Sequence, residues 1–195
     1  MTGMRCFLAL TTALGVLLTG ACSAGGTTSS SGSPSSAPES NPVGDIPDNQ
    51  VYVAYRSADS AFTVDVPEGW ARTDRADGVS FTDKLNTVAV REQRGRPQPS
   101  PATALTGEMK ELASTGRKVT LGRVDTVPLP AGPTVHGLFS QDSEADAVTG
   151  RVVRDDAELY LFWRSGTEVE LILSGPHGAD NVDPWKKIST SFRWQ

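Results

Sequence analysis

The stretch Phe62–Trp70, FTVDVPEGW, carries the clearest structural signal in this sequence. Its apolar residues alternate with polar ones, and this period of two predicts a half-buried β-strand. The strand is expected to end at residues 67–69, because proline removes a backbone donor and glycine favours a turn. Trp70 follows this turn, where we expect it to cover one end of the core.

Similar short apolar runs, bounded by turn-forming residues, predict a series of further strands. They are VSFTD from Val79, TVAVREQ from Thr87, RKVTLGRVDTVPL from Arg117, TVHGLFSQ from Thr134, GRVVR from Gly150, ELYLFWR from Glu158 and EVELILS from Glu168. Asp155 and Asp156 are predicted to form the turn between GRVVR and ELYLFWR. The short connections indicate that neighbouring strands are antiparallel.

Two helices are predicted among these strands. The first begins at Pro101 and ends at Gly116, with apolar residues at helical spacing between them. The second begins with Asp183 as its N-cap and Pro184 in its first turn, and Trp185 lies on its apolar face. One extended antiparallel sheet with a central and a terminal helix predicts an α+β sandwich, in which helices flank the sheet.

The N-terminal residues have the features of an export signal. Arg5 precedes an apolar stretch of 13 residues, Cys6–Leu18, which is too short to span a membrane. The stretch ends in Leu17–Cys22, LLTGAC, which resembles the lipobox of bacterial lipoproteins. This resemblance implies that residues 1–21 are a signal peptide, that Cys22 carries the lipid, and that the protein is anchored to the extracytoplasmic face of the cell membrane. The alternative is an ordinary signal peptide in which Cys22 has no special role.

The composition changes after Cys22. The next 28 residues contain 8 Ser, 4 Gly, 4 Pro and 2 Thr. Such a segment buries too little apolar surface to offset the entropy cost of ordering its backbone, so residues 22–50 are predicted to be a disordered tether. Residues 51–195, 145 in number, have the size of one globular domain.

Charge and cysteine content exclude several functions. Without residues 1–21 the chain has 17 basic and 23 acidic side chains, which argues against nucleic acid as a partner. It also argues against electrostatic attraction to an anionic membrane. Cys6 lies in the signal and Cys22 is the expected lipid site, so residues 51–195 contain no thiol. Disulfides, thiolate metal sites and cysteine catalysis are therefore excluded inside the domain.

The pattern of residues 51–195 resembles a known family. The segment FTVDVPEGW, the central helix, the run of antiparallel strands and the ending DPWKKISTSFRW are similar to the LpqN-type bacterial lipoproteins, which share the PsbP/Mog-like fold. The resemblance implies a mostly antiparallel sheet with helices on both faces, and a binding or accessory role. It brings no shared catalytic residues.

Few side chains indicate a site. His136 lies within a strand pattern and is expected to be structural. His177 lies in the loop SGPHGAD after a strand, a position where functional residues often occur, and is a possible binding residue. Trp70 and Trp194 are possible binding residues as part of an aromatic set that would suit a lipid or a glycan. The alternative interpretation places the tryptophans in the core. Trp194 is the exception, because residues close to a chain end are seldom buried.

No motif for a cofactor or a metal is present. The sequence has no Gly-Lys-Ser/Thr phosphate loop and no Gly-x-Ser-x-Gly nucleophile elbow. The acidic run from Asp142 to Asp146 superficially resembles the start of a calcium loop, but Ala147 and Val153 stand where that loop needs glycine and glutamate. We therefore predict no cofactor and no metal site.

The sequence thus predicts a non-enzymatic, lipid-anchored envelope protein that binds a protein partner or an envelope component. Such an adaptor is expected to expose an apolar patch or a free sheet edge. One alternative is a carrier of an apolar ligand such as a lipid, which requires a large apolar cavity. The other is a carboxylate-based hydrolase, which requires a cleft with paired acids whose pKa values differ.

Overall fold

A computed structural model describes residues 44–146 and 148–195, and these form ten β-strands and three short α-helices. The strands, in chain order, are β1 (Tyr52–Arg56), β2 (Phe62–Pro67), β3 (Ala71–Arg75), β4 (Gly78–Asp83), β5 (Asn86–Arg94), β6 (Arg117–Leu129), β7 (Gly132–Asp142), β8 (Arg154–Arg164), β9 (Thr167–Pro176) and β10 (Arg193–Trp194). The helices are α1 (Pro101–Thr106), α2 (Glu108–Thr115) and α3 (Val182–Ser191). The predicted signal peptide, Cys22 and the tether up to residue 43 lie outside the described residues.

The strands form two antiparallel sheets. The larger has seven strands in the order β3–β4–β5–β9–β8–β7–β6, and the smaller has three in the order β1–β2–β10. Helices α1 and α2 carry the chain from β5 to the far edge of the large sheet. The strands β6 to β9 then return as a meander, so that β9 pairs with β5.

Each face of the large sheet has its own core. On the first face, β2 and α3 cover β4, β5, β8 and β9, and three aromatic rings form the centre of this core. The Phe192 ring stacks on Phe62 at 5.2 Å and on Phe162 at 3.9 Å between ring centres. On the second face, Met109 of α2 packs against apolar residues of β7 and β8, among them Leu159. The prediction of an α+β fold with helices on both faces of an antiparallel sheet is confirmed.

The predicted strands that carry apolar alternation or an apolar run are present. FTVDVP forms β2, and its apolar residues Phe62, Val64 and Val66 are at most 3% exposed. Residues 159–162 of β8 are all buried, as expected for a strand covered on both faces. Trp70 is half-buried and packs against the edge of the first core.

Two predictions near residue 155 are wrong. The segment from Gly150 to Val153 is not a strand, and Asp155 and Asp156 do not form a turn but belong to β8. Asp156 pairs with Ser140 of β7 and with Gly175 of β9, so cross-strand pairing extends β8 beyond its apolar residues. Aspartate favours turns only in isolation, and the two neighbouring strands override that preference here.

The predicted helices also need correction. The helix from Pro101 is divided at Gly107, whose backbone (φ −104°, ψ −102°) is not helical, so it forms the two helices α1 and α2. The last helix begins after Asn181 and not after Asp183. The Asn181 side chain does not cap the helix, because its Oδ1 accepts the Ile46 backbone N–H at 2.8 Å.

Three strands have no counterpart among the sequence predictions: β1, β3 and β10. Every residue of β3 is exposed, so it has no apolar alternation that could reveal a strand. It is held by its pairing with β4. The strand β10 has only two residues and pairs with the start of β2.

The packed region extends upstream of Val51, where composition predicts the domain to begin. Ile46 is 4% exposed and belongs to the first core. The Gly44 carbonyl accepts hydrogen bonds from the side chains of Asn86, at 2.8 Å, and Asn181, at 3.1 Å. Gly44 and Ile46 therefore pack with the domain, although they lie in the segment that composition assigns to the tether.

Candidate functional site

A cavity lies on the first face of the sheet, beside the β3–β4 hairpin. It has a volume of about 380 Å³ and is open to solvent. We call it the arginine cleft; its lining residues are Tyr55, Arg56, Ser57, Ala58, Phe62, Arg72, Asp74, Arg75, Ala76, Asp77, Gly78, Val90 and Glu92. One wall is the β1–β2 hairpin and the other is the β3–β4 hairpin, so two separate sheets form the cleft between them.

The β1–β2 hairpin is fixed by hydrogen bonds of its own loop. The Ser57 hydroxyl donates to Asp59 Oδ1 at 2.8 Å, and the Ala61 backbone N–H donates to the same oxygen at 3.0 Å. These two hydrogen bonds lower the pKa of the Asp59 carboxyl. The Phe62 backbone N–H donates to the Ser57 hydroxyl oxygen at 3.2 Å. The first wall of the cleft is therefore a structured turn.

The β3–β4 hairpin is held against β5. A Cβ added to Gly78 would lie 1.9 Å from the Val90 carbonyl oxygen, so only glycine permits this close approach. The Glu92 backbone N–H donates to the Asp77 carbonyl at 3.0 Å, which fixes the turn before β4. The second wall is thus positioned by β5, an interior strand of the large sheet.

An aromatic ring joins the two walls. Tyr55 contacts Phe81 edge-to-face, with 5.7 Å between ring centres, and Phe62 at 6.3 Å. The Arg72 guanidinium lies over the Tyr55 ring, 5.5 Å from its centre, within the range of a cation–π contact. Burial raises the pKa of the Tyr55 hydroxyl, and the positive charge of Arg72 opposes this rise.

The charges of the cleft are unevenly paired. Each lining carboxylate has an arginine partner: Asp74 with Arg72 at 2.7 Å, Asp77 with Arg91 at 3.6 Å, and Glu92 with Arg94 at 3.0 Å. In residues 44–146 and 148–195, neither Arg56 nor Arg75 lies within 4.0 Å of a carboxylate oxygen. Arg91 and Arg94 are each shared with a second carboxylate, Glu170 and Asp59. Three arginines and three acids line the cleft, and Arg56 and Arg75 are the two of these arginines without a carboxylate partner in the described part of the chain.

A second polar cluster lies on the same face of the sheet, at β6, β7 and β8. His136 Nε2 is 3.3 Å from Glu158 Oε2, and His136 Nδ1 is 3.7 Å from Asp125 Oδ1. The Tyr160 hydroxyl donates to Glu158 Oε2 at 2.5 Å, and its ring stacks on His136 at 4.6 Å. Burial alone would raise the pKa of Glu158, but the contacts with His136 and Tyr160 lower it by more, so the pKa is below its ordinary value. The expected structural role of His136 agrees with this stacking within the sheet.

Another cavity, of about 160 Å³, lies on the second face beside α2. Arg96 forms ion pairs there with the buried carboxylates of Glu108 and Glu168. Burial raises the pKa of Glu168, and the nearby Glu108 carboxylate raises it further. Its neighbour on the strand, Glu170, accepts a hydrogen bond from Gln93 Nε2 at 2.5 Å. Burial raises the pKa of Glu170 to about 7.

The three binding residues named from the sequence lie at separate positions. Trp70 follows the end of β2, whereas Trp194 pairs with Phe62 at the start of β2. The Trp194 ring packs against Phe192 at 5.1 Å, so this residue near the chain end is docked on the core. His177 is exposed, and its Nδ1 is 2.9 Å from Asp156 Oδ2. None of the three lines either cavity.

The arginines of the cleft were missed by sequence reasoning. Arg56 ends YVAYR and Arg75 ends ARTDR, the two short segments that form β1 and β3. Neither segment has a clear strand pattern, so nothing in the sequence placed them side by side. The signal that could have indicated them is the presence of arginines in both short segments, in a chain whose net charge is −5.

Among the described residues, no group of three or more His, Cys, Asp or Glu side chains is arranged to hold a metal ion. No helix in the same part of the chain combines the length and the hydrophobicity needed to cross a membrane.

The fold is similar to that of solved structures. No protein-family model matches the chain, and no curated protein matches it. The solution structure of cyanobacterial PsbP (CyanoP) from Synechocystis sp. PCC 6803 is similar, with 14% identity over 80% of this chain and 100% of that chain and a TM-score of 0.53. The crystal structure of the Ran-binding protein Mog1p from Saccharomyces cerevisiae is similar over 74% of this chain and 95% of that chain, with 12% identity and a TM-score of 0.50. The chain therefore has a PsbP/Mog1-like α+β fold.

Proposed function

We propose that this chain is a lipid-anchored, extracytoplasmic binding protein whose domain holds a protein partner and catalyses no reaction. The observation that carries the proposal is the arginine cleft. It is open, it is built from two rigid hairpins, and it leaves Arg56 and Arg75 without acidic partners in the described residues. A preformed site with unmatched charge is suited to recognition of a complementary partner.

The fold is consistent with a binding role. Mog1p, which has a similar fold, is named as a Ran-binding protein. Because folds host many functions, this similarity supports recognition of some protein partner and does not specify which one. Assignment to the LpqN-type lipoproteins is part of the proposal, and it is supported by the segment FTVDVPEGW, the central helix and the ending DPWKKISTSFRW.

The anchor is supported by the order of features in the sequence. Residues 1–21 have a charged start, a short apolar stretch and small residues before Cys22, and a Ser/Gly/Pro-rich segment follows. Lipid on Cys22 would hold the domain near the extracytoplasmic face of the membrane. The segment after Cys22 would keep the cleft clear of the lipid headgroups.

Neither alternative function is favoured by the described sites. A lipid carrier needs a large apolar cavity, but charged side chains line both cavities described here. A carboxylate hydrolase needs an acid and a base whose pKa values are separated. Glu168 and Glu170 are both shifted upward, and Arg96 holds Glu168 in an ion pair.

The proposal is tested by native mass spectrometry of the full-length chain, released from membranes in mild detergent. A binding protein is expected to retain a second polypeptide, whereas a carrier would show the added mass of a lipid or glycan. A domain that consistently carries such a small ligand and no polypeptide would contradict the proposal.

The anchor is tested separately with Cys22→Ser. We expect this variant to keep its signal peptide uncut and to lose the acyl mass on the mature N-terminus. The matched control is Cys6→Ser, which lies in the signal and should be processed and lipidated normally. Unchanged processing of the Cys22 variant would contradict lipidation.

A further inference from the structure

We propose that the arginine cleft binds an extended acidic segment of the partner protein, and that Arg56 and Arg75 pair with its carboxylates. This inference rests on the proposed function and specifies the chemistry of the partner. It follows from three properties of the cleft: its charge, the strand edges that border it and the rigidity of its walls.

Charge selects an anionic ligand. Asp74, Asp77 and Glu92 each already pair with an arginine, so Arg56 and Arg75 are the lining cations that remain available to pair with a ligand. Guanidinium groups present several donors in a planar fork that matches a carboxylate. The whole chain carries a net charge of −5, so two arginines without carboxylate partners in the described residues run against the overall balance. A ligand attracted here is selected by the cleft and not by the protein as a whole.

Strand edges select a polypeptide. In the described part of the chain, β1 pairs only with β2, and β3 pairs only with β4. Each therefore keeps one edge of backbone N–H and C=O groups without a strand partner. An extended peptide can pair with such an edge while its side chains reach the neighbouring arginines. A phosphate or a lipid headgroup cannot use these backbone groups in this way, which favours a protein segment as the occupant.

Rigid walls favour binding by reducing its entropy cost. The Ser57–Asp59 hydrogen bond fixes the first hairpin, and Gly78 allows the second hairpin to lie directly against β5. A preformed site loses less conformational entropy when a ligand binds. The volume of about 380 Å³ is within the usual range of pockets for small ligands, so it suits a few residues of a peptide and not a folded domain.

The test uses the full-length chain in mild detergent and a fluorescein-labelled peptide of alternating threonine and glutamate. The charge control is the same peptide with lysine in place of glutamate. Anisotropy is measured for the natural chain, for Arg56→Gln, for Arg75→Gln and for the double variant. Arg151→Gln is the matched control, because Arg151 is exposed and does not line the cleft.

We expect the acidic peptide to bind and the lysine peptide to bind more weakly. The net charge of −5 alone would predict the opposite order, because it attracts the lysine peptide. Each cleft variant should weaken binding about fivefold, the factor for loss of one exposed ion pair worth about 1 kcal/mol. Arg151→Gln should have no effect. Equal binding of the two peptides, or equal weakening by Arg151→Gln, would overturn the inference.

Two further probes identify other occupants of the cleft. Inorganic phosphate and glycerol 3-phosphate, a soluble form of an anionic lipid headgroup, are added as competitors. Displacement of the acidic peptide only at far higher concentrations supports the peptide assignment. Direct binding of glycerol 3-phosphate that depends on Arg56 and Arg75, without binding of the acidic peptide, would overturn it. A partner retained in native mass spectra but not affected by the cleft variants would leave the proposed function in place and reject only this inference.

Discussion

Replacement of Glu170 by glutamine is expected to stabilise the protein by an amount that grows as the pH rises from 4.5 to 7 and stays constant above that range. Glu170 is 5% exposed on β9, and burial raises the pKa of its carboxyl to about 7. The nearest cation is Arg91, whose Nη1 is 3.9 Å from Glu170 Oε2 and which also pairs with Asp77. The substitution therefore removes a buried charge without leaving a cation unpaired. The Gln93 side chain can still donate to the amide oxygen of the variant.

The size and sign of the effect follow from proton linkage. The pKa of Glu170 is about 7 in the folded protein, against an ordinary value of 4.5. The folded state thus binds its proton more tightly than the unfolded state, and its stability falls as the pH rises from 4.5 to 7. At about 1.4 kcal/mol per pH unit, the loss is about 3 kcal/mol. Glutamine resembles the protonated acid, so Glu170→Gln should recover up to that amount at pH 8 and almost nothing at pH 4.5.

The measurement is urea unfolding of the full-length chain in mild detergent, followed by tryptophan fluorescence at pH 4.5 and at pH 8. The control is Glu144→Gln, which removes an exposed carboxylate paired with Arg117 at 2.9 Å. Exposed ion pairs contribute little, so this variant should change the unfolding free energy by less than about 1 kcal/mol at either pH. An effect of Glu170→Gln that is the same at both pH values would refute the argument from burial.

Three other substitutions test the packing and the predicted site. Phe192→Ala should lower the unfolding free energy by about 3 to 5 kcal/mol, because the ring is stacked on Phe162 and is 1% exposed; a loss below 1 kcal/mol in urea titration would contradict this packing. Gly78→Ala should lower the thermal unfolding midpoint by several degrees, since the added Cβ would meet the Val90 carbonyl at 1.9 Å, and an unchanged calorimetric midpoint would argue against close strand approach. His177→Ala should change stability by less than about 0.5 kcal/mol in the same assays, because its side chain is 71% exposed; a larger loss would give this histidine a structural role.

The parts of the fold that could be predicted are those in which one face of an element is apolar. The alternation of Phe62, Val64 and Val66 specifies β2, because burial of these side chains determines which way the strand faces. Residues 159–162 specify the centre of β8 in the same way. Such elements are read from the sequence because the energy that forms them comes from their own side chains.

Other elements depend on partners that are distant in the chain. Strand β3 has no buried residue and exists because β4 pairs with it. Asp155 and Asp156 join β8 because β7 and β9 provide hydrogen-bonding partners on both sides. Asn181 directly precedes α3, but its side chain does not cap the helix because it forms hydrogen bonds with the backbone of Gly44 and Ile46. A local pattern contains no information about these long-range contacts.

The candidate site belongs to this second group. Which arginines of the cleft lack a carboxylate depends on how its acids are paired, and the pairing of Asp77 with Arg91 joins a turn to a strand further along the chain. The histidine and tryptophans named from the sequence were chosen for residue type, but the cleft consists of common residues brought together by two hairpins. Its character could only be recognised once both walls were placed.

The contrast between the cleft and the whole chain has a kinetic consequence for an acidic partner. The net charge of −5 repels such a partner at long range, whereas Arg56 and Arg75 attract it only near contact. Salt screens both interactions, since the Debye length is about 8 Å at physiological ionic strength. Screening of the long-range repulsion makes association faster, and screening of the contact pairs makes dissociation faster. Affinity therefore varies with salt less than either rate does, and discrimination among partners depends on contacts within the cleft and not on attraction from a distance.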